Sequence, residues 1–106
     1  MWTETDAEAR RAAIESHFED DVQFFDADGQ FVGFEGIESF SDSLQSRFPD
    51  ARFALVRPPQ MIGGAIRAFW QFGPAEKPQA VTGMDFVLLE GGRVRTLYAF
   101  LDQRGT

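Results

Sequence analysis

Hydrophobic positions recur at two spacings along this chain, and the change from one to the other divides it. Ile14 and Phe18 stand one helical turn apart behind Thr5-Asp6-Ala7-Glu8, a capping-box pattern that predicts a helix from Asp6 to near Glu19. Val22-Gln23-Phe24-Phe25-Asp26 then reads as a short strand, Ala27-Asp28-Gly29 as a tight turn, and Phe31 to Glu35 as a return segment. Ile37, Phe40, Leu44 and Phe48 resume helical spacing with Ser, Asp and Gln opposite, and Pro49-Asp50 ends that helix. Beyond it the pattern predicts strands over 52–57, 65–72, 79–89 and 93–102. Met61-Ile62-Gly63-Gly64 and Gly73-Pro74-Ala75-Glu76-Lys77-Pro78 read as connections between them. Helices grouped ahead of an antiparallel meander predict an α+β fold in one domain over 1–106. If the antiparallel sheet curves strongly around the helices, it encloses a pocket.

One residue on the last hairpin breaks the pattern. Alternation puts Val81, Gly83, Asp85, Val87 and Leu89 on one strand face, so a carboxylate stands among apolar neighbours. It must lie at an edge, be paired, or occupy a pocket with an altered pKa. The same parity assigns Ile66, Ala68 and Trp70, and Leu97, Ala99 and Leu101, to that face. Desolvation there would raise the pKa of Asp85 and keep it protonated, able to donate to a carbonyl oxygen. The alternative is a structural aspartate paired with Arg67, Arg93 or Arg95, or with a backbone turn.

Asp26 shares a face with Val22 and Phe24 at the point where a strand becomes a turn. It is either a base aimed at a carbon next to a carbonyl, or an Asx-turn residue bonding the backbone of Asp28 or Gly29. Asp28 is assigned to the turn. His17, the single histidine, offers a proton-transfer group or a dipole and packing feature near a helix end. Trp70 would stack on a planar ligand or fill the core. Phe24, Phe40 and Phe69 divide between core and cavity wall. Tyr98 has the opposite parity and is expected on a dimer surface, while Arg93 and Arg95 form solvated or interface ion pairs.

Composition narrows the partners. The formal charge is -7 and no Lys/Arg run exceeds Arg10-Arg11, which argues against nucleic acid and anionic membrane surfaces. With no cysteine there are no disulfides or thiolate metal sites, and no paired histidines offer metal-ligand spacing. No apolar run approaches the roughly 18 residues of a membrane span. The acidic N-terminus lacks a signal-peptide pattern, so a cytoplasmic location is expected. Twelve phenylalanines and two tryptophans against one tyrosine suggest a deep apolar core or a ring-lined cavity for a small apolar organic molecule.

Phe18-Glu19-Asp20-Asp21-Val22, Phe25-Asp26, Gly36, Phe48-Pro49-Asp50, Trp70, Thr82-Gly83-Met84-Asp85-Phe86 and Gly92-Arg93-Val94 come in a telling order. Together they resemble the nuclear transport factor 2-like superfamily, and within it the SnoaL-like proteins and ketosteroid isomerases. The resemblance covers most of the chain. It implies a curved sheet wrapped around helices as a cone, usually dimerising through its outer face, and chemistry without a cofactor. Against the ketosteroid isomerases, Asp26 falls on the general-base aspartate. Asp85 falls on the aspartic acid that stays protonated and hydrogen-bonds the substrate oxygen.

Two of that family's tyrosines have no counterpart. One belongs to a first helix for which the chain has no residues, and the other position is Leu44. Trp2-Thr3-Glu4-Thr5-Asp6 resembles the junction behind that first helix. The helix is therefore expected to be missing, which would expose apolar surface and favour dimerisation, rearrangement or aggregation.

Three readings follow. The first is a small-molecule-binding domain acting as a cofactor-independent isomerase or cyclase, with Asp26 as base and Asp85 as acid or oxyanion donor. The second is a non-catalytic ligand-binding or dimerisation module of the same fold. An enzyme needs both carboxylates on one ligand-sized cavity and no arginine on Asp85, whereas a module needs a filled pocket or both aspartates tied down. The third, an epoxide-hydrolase-like Asp-Arg-Asp relay, would pair Asp85 with Arg67.

Overall fold

In the computed structural model, which describes residues 6–102, helix α1 (Ala7–His17) starts under Asp6. The Asp6 carboxylate accepts from the Ala9 N–H at 3.3 Å, so the cap is Asp6 itself. Trp2 to Thr5, including the expected capping threonine and the junction motif, lie outside the described residues. The helix stops two residues before Glu19 because Phe18 is already extended (φ -116°, ψ 149°) and opens strand β1 (Phe18–Asp26). β1 turns through Ala27-Asp28 into β2 (Gly29–Val32), and α2 (Gly33–Arg47) follows at once. Gly33, at φ 74°, supplies the left-handed residue that converts strand into helix. Glu35, expected in the return segment, therefore sits in the first turn of α2, where its charge suits the dipole.

The remaining strands are β3 (Arg52–Leu55), β4 (Gln60–Ile62), β5 (Ala65–Gly73), β6 (Val81–Glu90) and β7 (Arg93–Leu101). They join β1 and β2 in one sheet of order β2-β1-β7-β6-β5-β3, with β4 also on β5. Two features were not expected. β4 falls on residues read as a connection, and its apolar side chains gave no pattern because Met61 and Ile62 are exposed rather than alternately buried. The sheet is also mixed, not purely antiparallel. β7, at the end of the meander, lies parallel to β1, with Phe24 level with Leu97 and Phe25 with Tyr98. That pairing brings the first and last strands together and wraps the sheet around the helices.

The core lies between the helices and the inner sheet face. Ile14 from α1 and Ile37 from α2 meet Phe18, Val22, Phe24, Val87 and Leu97. A smaller cluster of Leu44, Trp70 and Phe72 continues it toward the other end of α2. Burial of each such side chain stabilises the fold by about 1.5–3 kcal/mol. A bulge beside Leu88 and Leu89 changes the parity of β7, so Val94 pairs with Leu89 and packs against the core. The helices are tied to each other by Arg10, which is 5% exposed and ion-pairs with Asp42, and by Arg11, which bonds Glu38 at 2.8 Å.

On the outer sheet face, Tyr98 stacks on Phe25 (5.1 Å between centroids) and lies beside Phe86 (6.3 Å). Arg67 is also outside, bonded to Gln60 and placed over Phe69 at 5.2 Å. Opposite parity separates it from Asp85, which removes the Asp-Arg-Asp relay.

Candidate active site

Asp85 stands level with Ala68 of β5 on one side and Ala99 of β7 on the other. Neither neighbour carries bulk beyond a methyl group, so the sheet is hollow around the carboxylate. One step along, Trp70 is level with Gly83. A Cβ on Gly83 would lie 2.5 Å from the indole Cζ2 of Trp70, so only glycine accommodates the ring there. From that seat the Trp70 indole N–H donates to Asp85 Oδ1 at 2.9 Å. Burial is the larger influence on this half-buried carboxyl and pushes its pKa from 3.8 up to about 6, against the opposing pull of the indole N–H. None of the three arginines considered as partners bonds it: Arg67 is on the other face, Arg95 pairs with Asp21 and Glu90 in solvent, and Arg93 stands level with Glu90 at the far end of the hairpin.

Asp85 opens on a cavity of about 300 Å³, near the low end of small-molecule sites. Its wall is largely apolar and includes six aromatic rings. Phe24 meets Phe40 edge-on at 4.7 Å, and Phe53 packs on Phe72 at 4.4 Å and on Trp70 at 5.4 Å. Leu44 lines the same wall with no group to donate.

Asp26 lines the cavity too, at the end of β1. Its Oδ1 accepts from the Asp28 N–H at 2.8 Å and the Gly29 N–H at 3.1 Å, an Asx turn. The Oδ2 atom accepts from no group among the described residues. Continuing the β1–β7 register sets Asp26 level with Ala99, and hence with Asp85 one strand further on. Two strand spacings put the two backbones about 10 Å apart, with Ala99 on the strand between them.

Of the other expected contacts, Trp70, Phe24, Leu97 and Leu101 line the cavity. Ile66 and Val87 do not. They share the expected face but lie further along it, under the core cluster around Ile14 and Val22. His17 is exposed at the end of α1 and outside the cavity, because the helix ends before turning it inward. Phe53, Phe72 and Arg47 were missed. The two rings belong to the β3–β5 pair, level with each other: Phe72 has the parity of Trp70, whereas the place of Phe53 depends on which strand pairs with β5. Arg47, exposed in the last turn of α2, is the one cation lining the cavity among the described residues and lies over Phe48 at 5.3 Å. Its position depends on where the helix ends. No group of three His, Asp or Glu side chains among the described residues could hold a metal ion.

This curved sheet, with helices on its inner face and a carboxylate at the cavity wall, has the cone architecture of the nuclear transport factor 2-like fold. The SnoaL-like domain model matches residues 2–97, and the chain belongs to that family. No curated protein matches it. Among solved structures it is similar to a candidate isomerase of the SnoaL-like family from Agrobacterium tumefaciens, at 28% identity and TM-score 0.89, over 96% of this chain and 88% of that one. It also resembles a candidate SnoaL-like polyketide cyclase from Jannaschia sp. CCS1 (13% identity, TM-score 0.75, 95% and 76% covered). A candidate ketosteroid isomerase from Kribbella flavida is similar to the same degree (13%, 0.74, 93% and 70%). The last two likenesses concern the fold. No helix among the described residues is long and apolar enough to cross a membrane.

Proposed function

We propose that this domain binds a small, largely apolar carbonyl compound in the ring-lined cavity and that Asp85 moves a proton at the carbon next to the carbonyl. The observation that carries the reading is a cavity-facing carboxylate with no cation on it among the described residues and a pKa pushed up to about 6. A group with that pKa is mostly ionised at neutral pH yet close enough to neutrality to exchange protons readily. Asp85 then acts as the base, and its role as a neutral donor, the part the ketosteroid isomerase resemblance implied, is confined to acidic solution. The proton passes from carbon to Asp85 and returns at another atom of the same ligand. Such a step needs no cofactor and suits the isomerase and cyclase names of the structural neighbours. Asp26 Oδ2 is the second carboxylate oxygen available to the ligand, and Arg47 the charge best suited to a developing enolate.

A second reading, a binding module without chemistry, is favoured by one fact: Asp26 is already tied to the turn backbone through Oδ1. The test is a screen of small aryl ketones for binding and turnover on wild type, Asp85→Asn and Asp26→Asn. Ligand-dependent proton transfer lost in Asp85→Asn is expected. Binding with no turnover would select the module, and indifference to both substitutions would sink the acid/base proposal.

We further propose that two copies associate through the outer sheet face, where Phe25, Tyr98 and Phe86 stack and Phe100 is 55% exposed. Sedimentation equilibrium should give the mass of two chains, reduced to one by Phe100→Asp. A wild-type monomer at tens of micromolar would remove this association.

A further inference from the structure

The bond between Trp70 and Asp85 divides the labour of the carboxylate's two oxygens. We propose that Trp70 is a positioning residue, not a stacking platform for ligand. Its indole N–H fixes Asp85 Oδ1 and leaves Oδ2 as the oxygen that exchanges a proton, and Gly83 is the seat that holds the ring in place. The inference rests on the proton-transfer reading above and assigns which atom of Asp85 performs it.

Three observations support it. An indole nitrogen can only donate, so at 2.9 Å it occupies one lone pair of Oδ1 and orients the whole carboxyl group. The ring itself has little freedom. Trp70 is 8% exposed, clustered with Leu44 and Phe72, and crossed edge-on by Phe53 at 75°. Its far edge closes on Gly83, at 2.5 Å and 2.9 Å from where a Cβ would stand. A ring so enclosed cannot swing out to lie flat on a planar ligand.

The surroundings also leave Trp70 as the group that sustains the charge on Asp85. Ala68 flanks the carboxylate from β5, and Ala99 from β7. The other charged side chains lining the cavity are Asp26 and Asp28 from the β1–β2 turn and Arg47 from α2, and none bonds Asp85. The indole N–H is therefore the one donor among the described residues that opposes the effect of burial on Asp85. Removing it should make the carboxylate both looser and harder to ionise.

Trp70→Phe keeps a ring over Gly83 and deletes the donor. A carboxyl-carbon NMR titration should place the Asp85 midpoint near 6 in wild type. The midpoint should move upward by about one pH unit in Trp70→Phe. An unchanged or lowered midpoint would overturn the proposal. A second measurement does not depend on that variant's folding. In a Trp2→Phe background, Trp70 emission should titrate with the Asp85 midpoint and become flat when Asp85→Asn is added. Emission indifferent to Asp85→Asn would also overturn it. Both experiments are done without ligand, so they separate the two ideas. Asp85 titrating as described in a protein without turnover keeps the positioning role and refutes the function. Turnover by a protein whose Asp85 ignores Trp70→Phe does the reverse.

Discussion

Asp85→Asn is expected to stabilise the domain at neutral and mildly alkaline pH while abolishing proton transfer. The sign follows from the raised pKa. Folding binds a proton to Asp85 more tightly than the unfolded chain does, so an ionised Asp85 opposes folding. Below the ordinary value of 3.8 both states are protonated and the residue is neutral to stability. As pH rises from there through about 6, the wild-type fold loses stability relative to the variant, and above that the gap is constant. The shift corresponds to about 3 kcal/mol at most. Burying the asparagine amide offsets part of it, which leaves a gain of about 1–2 kcal/mol. That is several degrees in Tm for a domain of this size. Asparagine keeps an oxygen for the Trp70 N–H but cannot take a proton, so turnover should fall by about 100-fold or more. Urea unfolding at a series of pH values checks the first effect. A variant that is less stable than wild type at alkaline pH would show that Asp85 is not a desolvated carboxylate.

Gly83→Ala is expected to be among the most damaging single-methyl changes in the sheet. The added Cβ would strike the backbone carbonyl oxygen of Phe100 on β7 as well as the Trp70 indole. A side chain can rotate away, but a paired strand cannot retreat without opening the β6–β7 ladder. Overpacking of this kind costs typically about 1–3 kcal/mol, and more where backbone must move. The same displacement lifts Trp70 off Asp85, so the variant should lose the link between Trp70 emission and the Asp85 titration before it loses its fold. Unfolding curves for wild type and variant give the stability difference. A variant within experimental error of wild type would mean the strands at Gly83 are far looser than the structure indicates.

Much of this arrangement was legible in the sequence. Period-two alternation placed Asp85, Trp70, Leu97 and Leu101 on one face without reference to any partner strand, because side chains alternate whatever lies beside them. It failed where a face holds two environments. Ile66 and Val87 share that face yet pack into the core under Ile14 and Ile37, since the cavity occupies only the part of the sheet beside the C-terminal half of α2. The parallel β1–β7 pair was hidden because pairing is a property of the returning chain and not of either strand. Asp26 was read as a base or as a turn residue. The structure gives it the turn bonds, and its place at the end of β1 still leaves it on the cavity wall. The partner of Asp85 was sought among arginines, on the rule that buried charge seeks charge, or in a backbone turn. The donor is an indole on the adjacent strand, recognisable in the sequence only through the glycine that makes room for it.

The most direct test of the account is hydrogen–deuterium exchange at the α-carbon of small aryl ketones in heavy water, followed by NMR with wild type and Asp85→Asn side by side. The account predicts protein-dependent exchange in wild type that rises with pH through a midpoint near 6 and is absent from Asp85→Asn. Exchange that proceeds equally in the two proteins, or that shows no such midpoint, would contradict it.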